Sequence, residues 1–382
     1  MKVALTKCKD YERENVEKAI NTSFEFLGGL SKFVKKGQKV LLKPNLLHKA
    51  LPESAATTHP MVVEVIAREC IKLGAIVTIA DSPGGPFTKG YVGGVYKGTG
   101  MIEAAKNAGC NLNEDFTSVD VKFDEALVAR KMHIINVANE ADIIINIAKM
   151  KTHCFTGYTG CVKNLFGLIP GLEKIQMHGN NVNLEKFCDF VIDIERFVKD
   201  KCVLHVMDAV MAMEGEGPSA GTPKFVGKIL ASESAYAVDV AANIIMTIKP
   251  FTMPMLKRAS DRGIIEGNVD CVQILGEDLN KSVVKGFRTV KPNFKKPLAK
   301  IIPKFLQKPF FKMLTSRPKI KKKCKGCQKC FEHCPPRAII MVKDKAVIDY
   351  DKCIRCFCCQ ELCPYLMVKV KKPLLYRVLR FS

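Results

Sequence analysis

CKGCQKCFEHCP at residues 324–335 and CIRCFCCQELCP at residues 353–364 are two copies of one spacing, C-x2-C-x2-C-x3-C-P. The first copy holds Cys324, Cys327, Cys330 and Cys334 ahead of Pro335. The second holds Cys353, Cys356, Cys359 and Cys363 ahead of Pro364. Structural zinc sites take four ligands as two separated pairs, and need neither a third cysteine nor a cysteine before proline in each half. Disulfides require an oxidising compartment, and no secretory apolar region or twin-arginine pair opens this chain. Eight further cysteines scattered through the first 280 residues lack paired spacing and read as reduced, mostly buried thiols. The expected location is cytoplasmic.

Both runs resemble those of bacterial two-cluster ferredoxins. The resemblance implies two 4Fe–4S clusters held by eight thiolates in crossed sets: Cys324, Cys327 and Cys330 with Cys363, and Cys353, Cys356 and Cys359 with Cys334. One-electron transfer is the chemistry such clusters carry. Cys358 sits inside the second run but off the ligand spacing. It reads either as a packed thiol beside a cluster or as a redox group. Between the runs, residues 337–342 and 346–350 read as a strand, turn and strand that would cover the clusters with Ile and Val.

The rest of the chain has an α/β pattern. Apolar runs at 40–42, 76–80, 143–147 and 203–207 alternate with amphipathic stretches at 16–26, 61–73 and 184–199. Continuous branched runs between helices predict a mostly parallel sheet covered on both faces. The fold class expected is therefore an α/β body over residues 1–280, with a C-terminal α+β ferredoxin-like two-cluster domain over 319–382.

In open α/β sheets, ligands bind beyond the carboxyl ends of the strands. At those points the chain offers Lys43-Pro44-Asn45, Asp81-Ser82-Pro83-Gly84-Gly85, Lys149 to His153, and Asp208. The densest stretch runs from 149 to 179, with Lys149, Lys151, His153, Lys163, Lys174 and His178 set among glycines and threonines. It is not a phosphate-binding P-loop, because Gly160 is followed by Cys161-Val162-Lys163. The sharper reading is an anion site, with Lys163, Lys151 and His153 as anion contacts or proton donors. The plainer one is a turn stabilised by Thr and Asn side chains. A metal held by Asp81, His153, His178, Asp208, Glu214 and Glu216 is a further possibility, though no metal-binding spacing supports it.

Three segments carry a wider resemblance: Lys43-Pro44-Asn45, the stretch from Lys151 to Gly167, and residues 213–221 around Glu214 and Glu216. Together with the cysteine runs they resemble the family catalogued as domain of unknown function 362, whose members often carry a two-cluster ferredoxin module. The resemblance spans residues 1–278 and the module. One departure is Ser234, where the family resemblance implies Asp. The family label supplies no reaction.

Charge divides the chain. Residues 1–280 hold 33 basic and 33 acidic residues, whereas residues 281–323 hold 15 basic and none acidic. The net charge of +22 therefore belongs to the linker, expected over 281–318, and to the cluster module. Lys296, Lys300, Lys304, Lys308 and Lys312 recur every four residues among apolar side chains. Residues 296–314 thus suit an anionic membrane surface, or else they pack on the body. Pro303 and Pro309 oppose one straight helix. Trp is absent and no nucleic-acid motif occurs, so nucleic acid is not an expected partner. The function expected is iron–sulfur electron transfer coupled to a redox reaction on a small anionic ligand, as in a ferredoxin-linked oxidoreductase. The alternative is a non-catalytic electron carrier docking a redox partner protein or an anionic membrane surface.

Overall fold

The structure is a computed structural model that describes residues 1–180, 183–290 and 316–371, with residues 178–180 as backbone only. Expectations for His178, for residues 296–314 and for the tail at 373–382 lie outside the described residues.

The chain begins with β1 (Lys2–Lys7), α1 (Arg13–Phe26), β2 (Lys39–Pro44), α2 (Pro60–Lys72) and β3 (Ile76–Ile79). It continues through α3 (Lys89–Gly98), α4 (Met101–Ala108), β4 (Asn111–Leu112), β5 (Ser118–Lys122), β6 (Lys131–Ile135) and α5 (Asn136–Glu140). Next come β7 (Ile143–His153), β8 (Gly157–Thr159), α6 (Cys161–Asn164), α7 (Gly171–Asn180) and α8 (Leu184–Val198). The body closes with β9 (Leu204–Glu214), β10 (Thr222–Ser232), α9 (Ala235–Ile245), α10 (Pro254–Asp261) and β11 (Gln273–Gly276).

One sheet runs through the body in the order β11-β1-β10-β9-β7-β2-β3-β4, with β8 paired to β7. β2 is parallel to β3 and β7, and β7 is parallel to β9. β10 lies antiparallel to both β1 and β9, so it and β8 run against the rest. The mostly parallel sheet expected from the apolar runs is present. Ile143, Ile145 and Ile147 pack on one side with α1 and α2, while Ile144 and Met150 pack on the other with α8 and α9. This two-faced burial is why β7 reads as an unbroken apolar run.

β7 does not stop where its apolar run stops. It extends through Lys149, Lys151 and His153, and every one of its residues is buried. These three side chains therefore lie on a strand rather than on the loop the sequence suggests. β9 likewise continues past Asp208 to Glu214. The body also continues past residue 280. Phe287 packs in the main core, and Arg288 Nε lies 2.7 Å from Glu214 Oε1. The first residues of the expected linker thus touch the body.

Ser234 is the N-cap of α9, its side chain accepting from Ala237 N at 3.3 Å. Ser and Asp serve equally well at an N-cap, so this departure from the family pattern leaves the helix start intact.

The module is built from β12 (Arg317–Ile320), α11 (Lys329–Glu332), β13 (Ile339–Val342), β14 (Lys345–Ile348), α12 (Cys358–Glu361) and β15 (Val368–Lys371). β13 and β14 form the expected hairpin, and β12 pairs with β15. The module is seated on the body. Gln360 Nε2 donates to Glu216 O at 3.1 Å, and Val370 N donates to Glu216 Oε2 at 3.1 Å. Cys154, Phe357 and Val370 form a small apolar cluster at the same contact.

Asp239 fixes the start of α6, and with it Lys163. Its Oδ1 accepts from Cys161 N at 2.6 Å and from Tyr158 Oη at 3.2 Å, and its Oδ2 accepts from Val162 N at 3.2 Å. Asp239→Asn keeps the volume but turns one acceptor into a donor facing a donor. The expected cost is about 1–3 kcal/mol, read as a lower urea midpoint with an unchanged slope. An unchanged midpoint would contradict this account of α6.

Candidate functional site

Two rules shape the carboxyl edge of the sheet: buried ammonium groups need partners, and strand ends bring residues distant in sequence together. Lys43 and Lys149 are both fully buried. Lys43 Nζ lies 2.7 Å from Asp81 Oδ1, and Lys149 Nζ lies 2.8 Å from Asp208 Oδ2. Lys151 solves the problem without a carboxylate. Its Nζ donates to Asn45 Oδ1 at 2.7 Å and to Ala56 O at 2.6 Å.

These pairs belong to two centres. The first, around Lys149 and Asp208, is closed. Tyr11 Oη donates to Asp208 Oδ1 at 2.8 Å and accepts from Lys149 Nζ at 2.9 Å. The Tyr11 ring stacks on His59 with centroids 3.6 Å apart. Sequence reasoning missed Tyr11 and His59 because both stand outside the strands, far along the chain from Asp208.

The second centre is an open crevice. Its wall includes Lys43, Asn45, Asp81, Ser82, Lys163, Asn164, Phe166 and Lys174 from the body. Cys358, Glu361 and Leu362 from the module complete it. Asn164 ties the floor together, donating to Lys43 O at 3.2 Å and Asn146 Oδ1 at 2.8 Å and accepting from Asn45 Nδ2 at 2.9 Å. Gly167 is required here, since a Cβ would fall 2.1 Å from Asp81 Oδ1 and 2.5 Å from Lys43 Nζ.

Of the three side chains singled out from sequence, Lys163 lines the crevice directly. Lys151 stands behind Asn45, and His153 stands behind Glu361 with Nε2 3.3 Å from Glu361 Oε1. His153 Nδ1 accepts from Phe155 N at 3.1 Å and Thr156 N at 3.3 Å. In the neutral ring the proton is therefore on Nε2, facing the module. Burial, followed by the nearby Lys163 charge, pushes the His153 pKa down to about 4. Burial and the same charge lower Lys151 to about 7. Burial also lowers Lys163, and takes Lys174 to about 7.

Among the described residues, the metal set considered from sequence does not converge. Asp81 is held by Lys43, Asp208 by Lys149 and Glu214 by Arg288, while Glu216 caps the module contact. Among the described residues, no group of three or more His, Cys, Asp or Glu is placed to hold a single metal ion.

The module cysteines instead surround two small cavities. Cys324, Cys327, Cys330 and Cys363 line one, and Cys334, Cys353, Cys356 and Cys359 line the other. Each cavity thus draws three thiols from one run and the fourth from the other run. Backbone amides point at two of the sulfurs, with Ala338 N 3.3 Å from Cys334 Sγ and Met367 N 3.3 Å from Cys363 Sγ. Four thiols around each enclosed space, with amides directed at the sulfurs, fit a cubane cluster. Cys358 lines both the second of these cavities and the body crevice.

Fold and cysteines together define a class: an iron–sulfur protein in which a 4Fe–4S module is seated over a crevice at the carboxyl edge of an α/β sheet. Residues 318–364 match the 4Fe-4S dicluster domain. Residues 40–243 match the domain of unknown function DUF362, and the chain belongs to that family. A thylakoid-associated protein of Synechocystis sp. is 30% identical over 269 residues, covering 69% of this chain and 79% of that protein. The lactate racemase apoprotein of Thermoanaerobacterium thermosaccharolyticum overlaps 64% of this chain and 57% of its own, with 14% identity and a TM-score of 0.41. A likeness of that size bears on neither fold nor function. No helix among the described residues is long and apolar enough to cross a membrane.

The buried histidines make an acid limb in stability. His205 is buried, its Nδ1 accepts from Asn146 Nδ2 at 3.0 Å, and burial pushes its pKa down to about 3. Between that value and the unfolded value near 6.5, the unfolded chain holds a proton that the folded chain does not. Stability therefore rises with pH across this window and is lost as pH falls, by up to about 1.4 kcal/mol per pH unit for each such group. Urea midpoints between pH 7 and pH 5 should fall steeply, and His205→Gln should flatten the slope. Equal slopes would show that His205 titrates in the folded protein.

Proposed function

We propose that this is an iron–sulfur electron-transfer protein holding two 4Fe–4S clusters, which exchanges electrons with a small anionic ligand in the body crevice. The observation that carries this reading is the shared wall at Cys358. The crevice and the cavity of Cys334, Cys353, Cys356 and Cys359 are separated by that one residue and its neighbours. A bound 4Fe–4S cluster supplies or accepts one electron at a time.

The remaining work falls to the chain. Adding an electron to a ligand adds negative charge, and a buried charge needs a partner. Lys163 projects into the crevice, and as an ammonium group it stabilises that charge or supplies a proton. Its lowered pKa brings proton release nearer to neutral pH. Lys151 holds Asn45 in place, and His153 orients Glu361. Both are positioning residues in this scheme. The module excludes water by capping the crevice with Cys358, Glu361 and Leu362.

A second reading concerns location. The basic, apolar segment 296–314 and the name of the cyanobacterial relative both favour peripheral attachment to an anionic membrane surface. Replacing Lys300, Lys304 and Lys308 by Gln should release the protein from anionic vesicles at low salt. Equal recovery in the supernatant with anionic and neutral vesicles would remove this reading.

Anaerobic reconstitution should give about eight iron and eight sulfide per chain. Cys358→Ala should leave that content unchanged, and it should alter how the reduced-cluster electron paramagnetic resonance signal responds to ligand. Lys163→Ala should abolish the response while leaving the signal of the free protein intact. Zinc in place of iron would defeat the cluster assignment. A signal indifferent to ligand in the unsubstituted protein would favour a carrier that only docks its partner.

A further inference from the structure

One end of the crevice carries two lysines that form no ion pair among the described residues, with Asp81 and Glu361 farther off in the same wall. Asp81 is held by Lys43, and Glu361 lies against His153. Among the described residues, no carboxylate is within ion-pair reach of Lys163 or Lys174. Lys163 Nζ lies 5.7 Å from the Phe166 ring centroid and 6.0 Å from that of Phe187. Lys174 Nζ lies 5.9 Å from the same Phe166 ring and donates to Ser82 O. Two ammonium groups therefore flank one aromatic side chain.

Two further features converge there. Ser82 is 1% exposed, lines the crevice, and its Oγ has no hydrogen-bond partner among the described residues. A buried hydroxyl without a partner is uncommon and points to a missing one. Gly171, the first residue of α7, also lines the crevice. The helix start is pressed against the 83–85 turn, where a Cβ on Gly171 would fall 1.9 Å from Gly85 O and 2.5 Å from Pro83 O. The positive end of a ten-residue helix thus faces the same space as Ser82.

We infer that Ser82, Lys163, Lys174 and the first turn of α7 form a site for a phosphoryl dianion, so that the crevice ligand is a phosphorylated small molecule. A pair of lysines without an ion-pair partner among the described residues suits an anion, and a hydroxyl with helix amides suits a tetrahedral oxyanion. The crevice wall extends beyond these groups to the module. The remaining wall includes the apolar Leu47, Ile175, Leu362 and Cys358. The organic part of the ligand accordingly lies toward Cys358 and the module. This inference rests on the ligand reading proposed above and names the class of ligand.

The test is calorimetric titration of the anaerobically reconstituted protein at constant ionic strength. The probes are inorganic phosphate, glycerol 3-phosphate, succinate and acetate. One phosphate should bind per chain, glycerol 3-phosphate at least as tightly, and acetate without saturation. Lys163→Gln and Lys174→Gln should each weaken phosphate about tenfold or more, and Ser82→Ala should weaken it several-fold. Cluster absorbance and far-ultraviolet circular dichroism serve as the folding controls. Should one lysine variant fail to fold, the other and Ser82→Ala still decide. Absence of saturable phosphate binding, or succinate binding tighter than phosphate, overturns the phosphoryl site. If that happens while Lys163→Ala still changes the cluster response to another anion, the electron-transfer reading stands with a different ligand class. Phosphate binding as described, with a cluster signal that ignores it, upholds the site and overturns the coupling.

Discussion

Burying lysines at the carboxyl edge of a sheet is the constraint on which the rest of this molecule turns. An ammonium group removed from water must recover its solvation from fixed partners. Lys43 and Lys149 recover it from Asp81, in the loop after β3, and Asp208, within β9. Lys151 recovers it from an amide oxygen and a carbonyl. Each solution ties separate strands and loops to one another. Asp81 also accepts from Leu46 N at 2.8 Å, and Asp208 from His59 N at 2.9 Å, so both carboxylates fix backbone as well as charge. The edge is rigid because its charges are satisfied. Lys163 and Lys174 stand apart as lysines that form no ion pair among the described residues.

The distinction separates two centres that look alike in sequence. Both pair a lysine with an aspartate. The Lys149–Asp208 centre adds Tyr11, which bonds to both partners and accepts from Met211 N at 3.1 Å. Its hydrogen-bonding capacity is used up, which suits a structural role. The Lys43–Asp81 centre opens instead onto a space shared with Ser82 and Lys163. Its pair forms the floor of a site and leaves neighbouring groups available to a ligand.

Much of this was legible in the chain, and the misses have physical causes. The branched runs at 40–42 and 143–147 announce strands buried on both faces, and the ladder places them side by side. β1 and β10 carry lysines in short apolar stretches, and neither stands out by composition. Polar residues at 149, 151 and 153 look like a loop because sequence patterning equates buried with apolar. Here a buried strand carries ionisable groups because the site needs them there. The crossed cysteine sets are what the resemblance to two-cluster ferredoxins implies, and the two module cavities are lined in that crossed way. Glu361 and Cys358 could not be read as crevice residues, because nothing local in the sequence says where the module sits.

The seating of the module turns one short helix into the junction of three spaces. α12 spans only Cys358–Glu361. Cys358 faces the crevice and the cavity of Cys334, Cys353, Cys356 and Cys359, and Cys359 belongs to that same cavity. Glu361 and Leu362 line the crevice, while Cys363, the next residue, lines the other cavity. A ligand pressing on Cys358 or Leu362 therefore pushes on backbone one residue from a cysteine of each set. Packed protein transmits such displacements because it has little free volume to absorb them. On the proposed reading, ligand binding and cluster environment are mechanically linked through a single helical turn. The Gln360 and Val370 bonds to Glu216 hold that turn against β9 and its following loop, so the linkage is anchored at the body as well as at the cysteines.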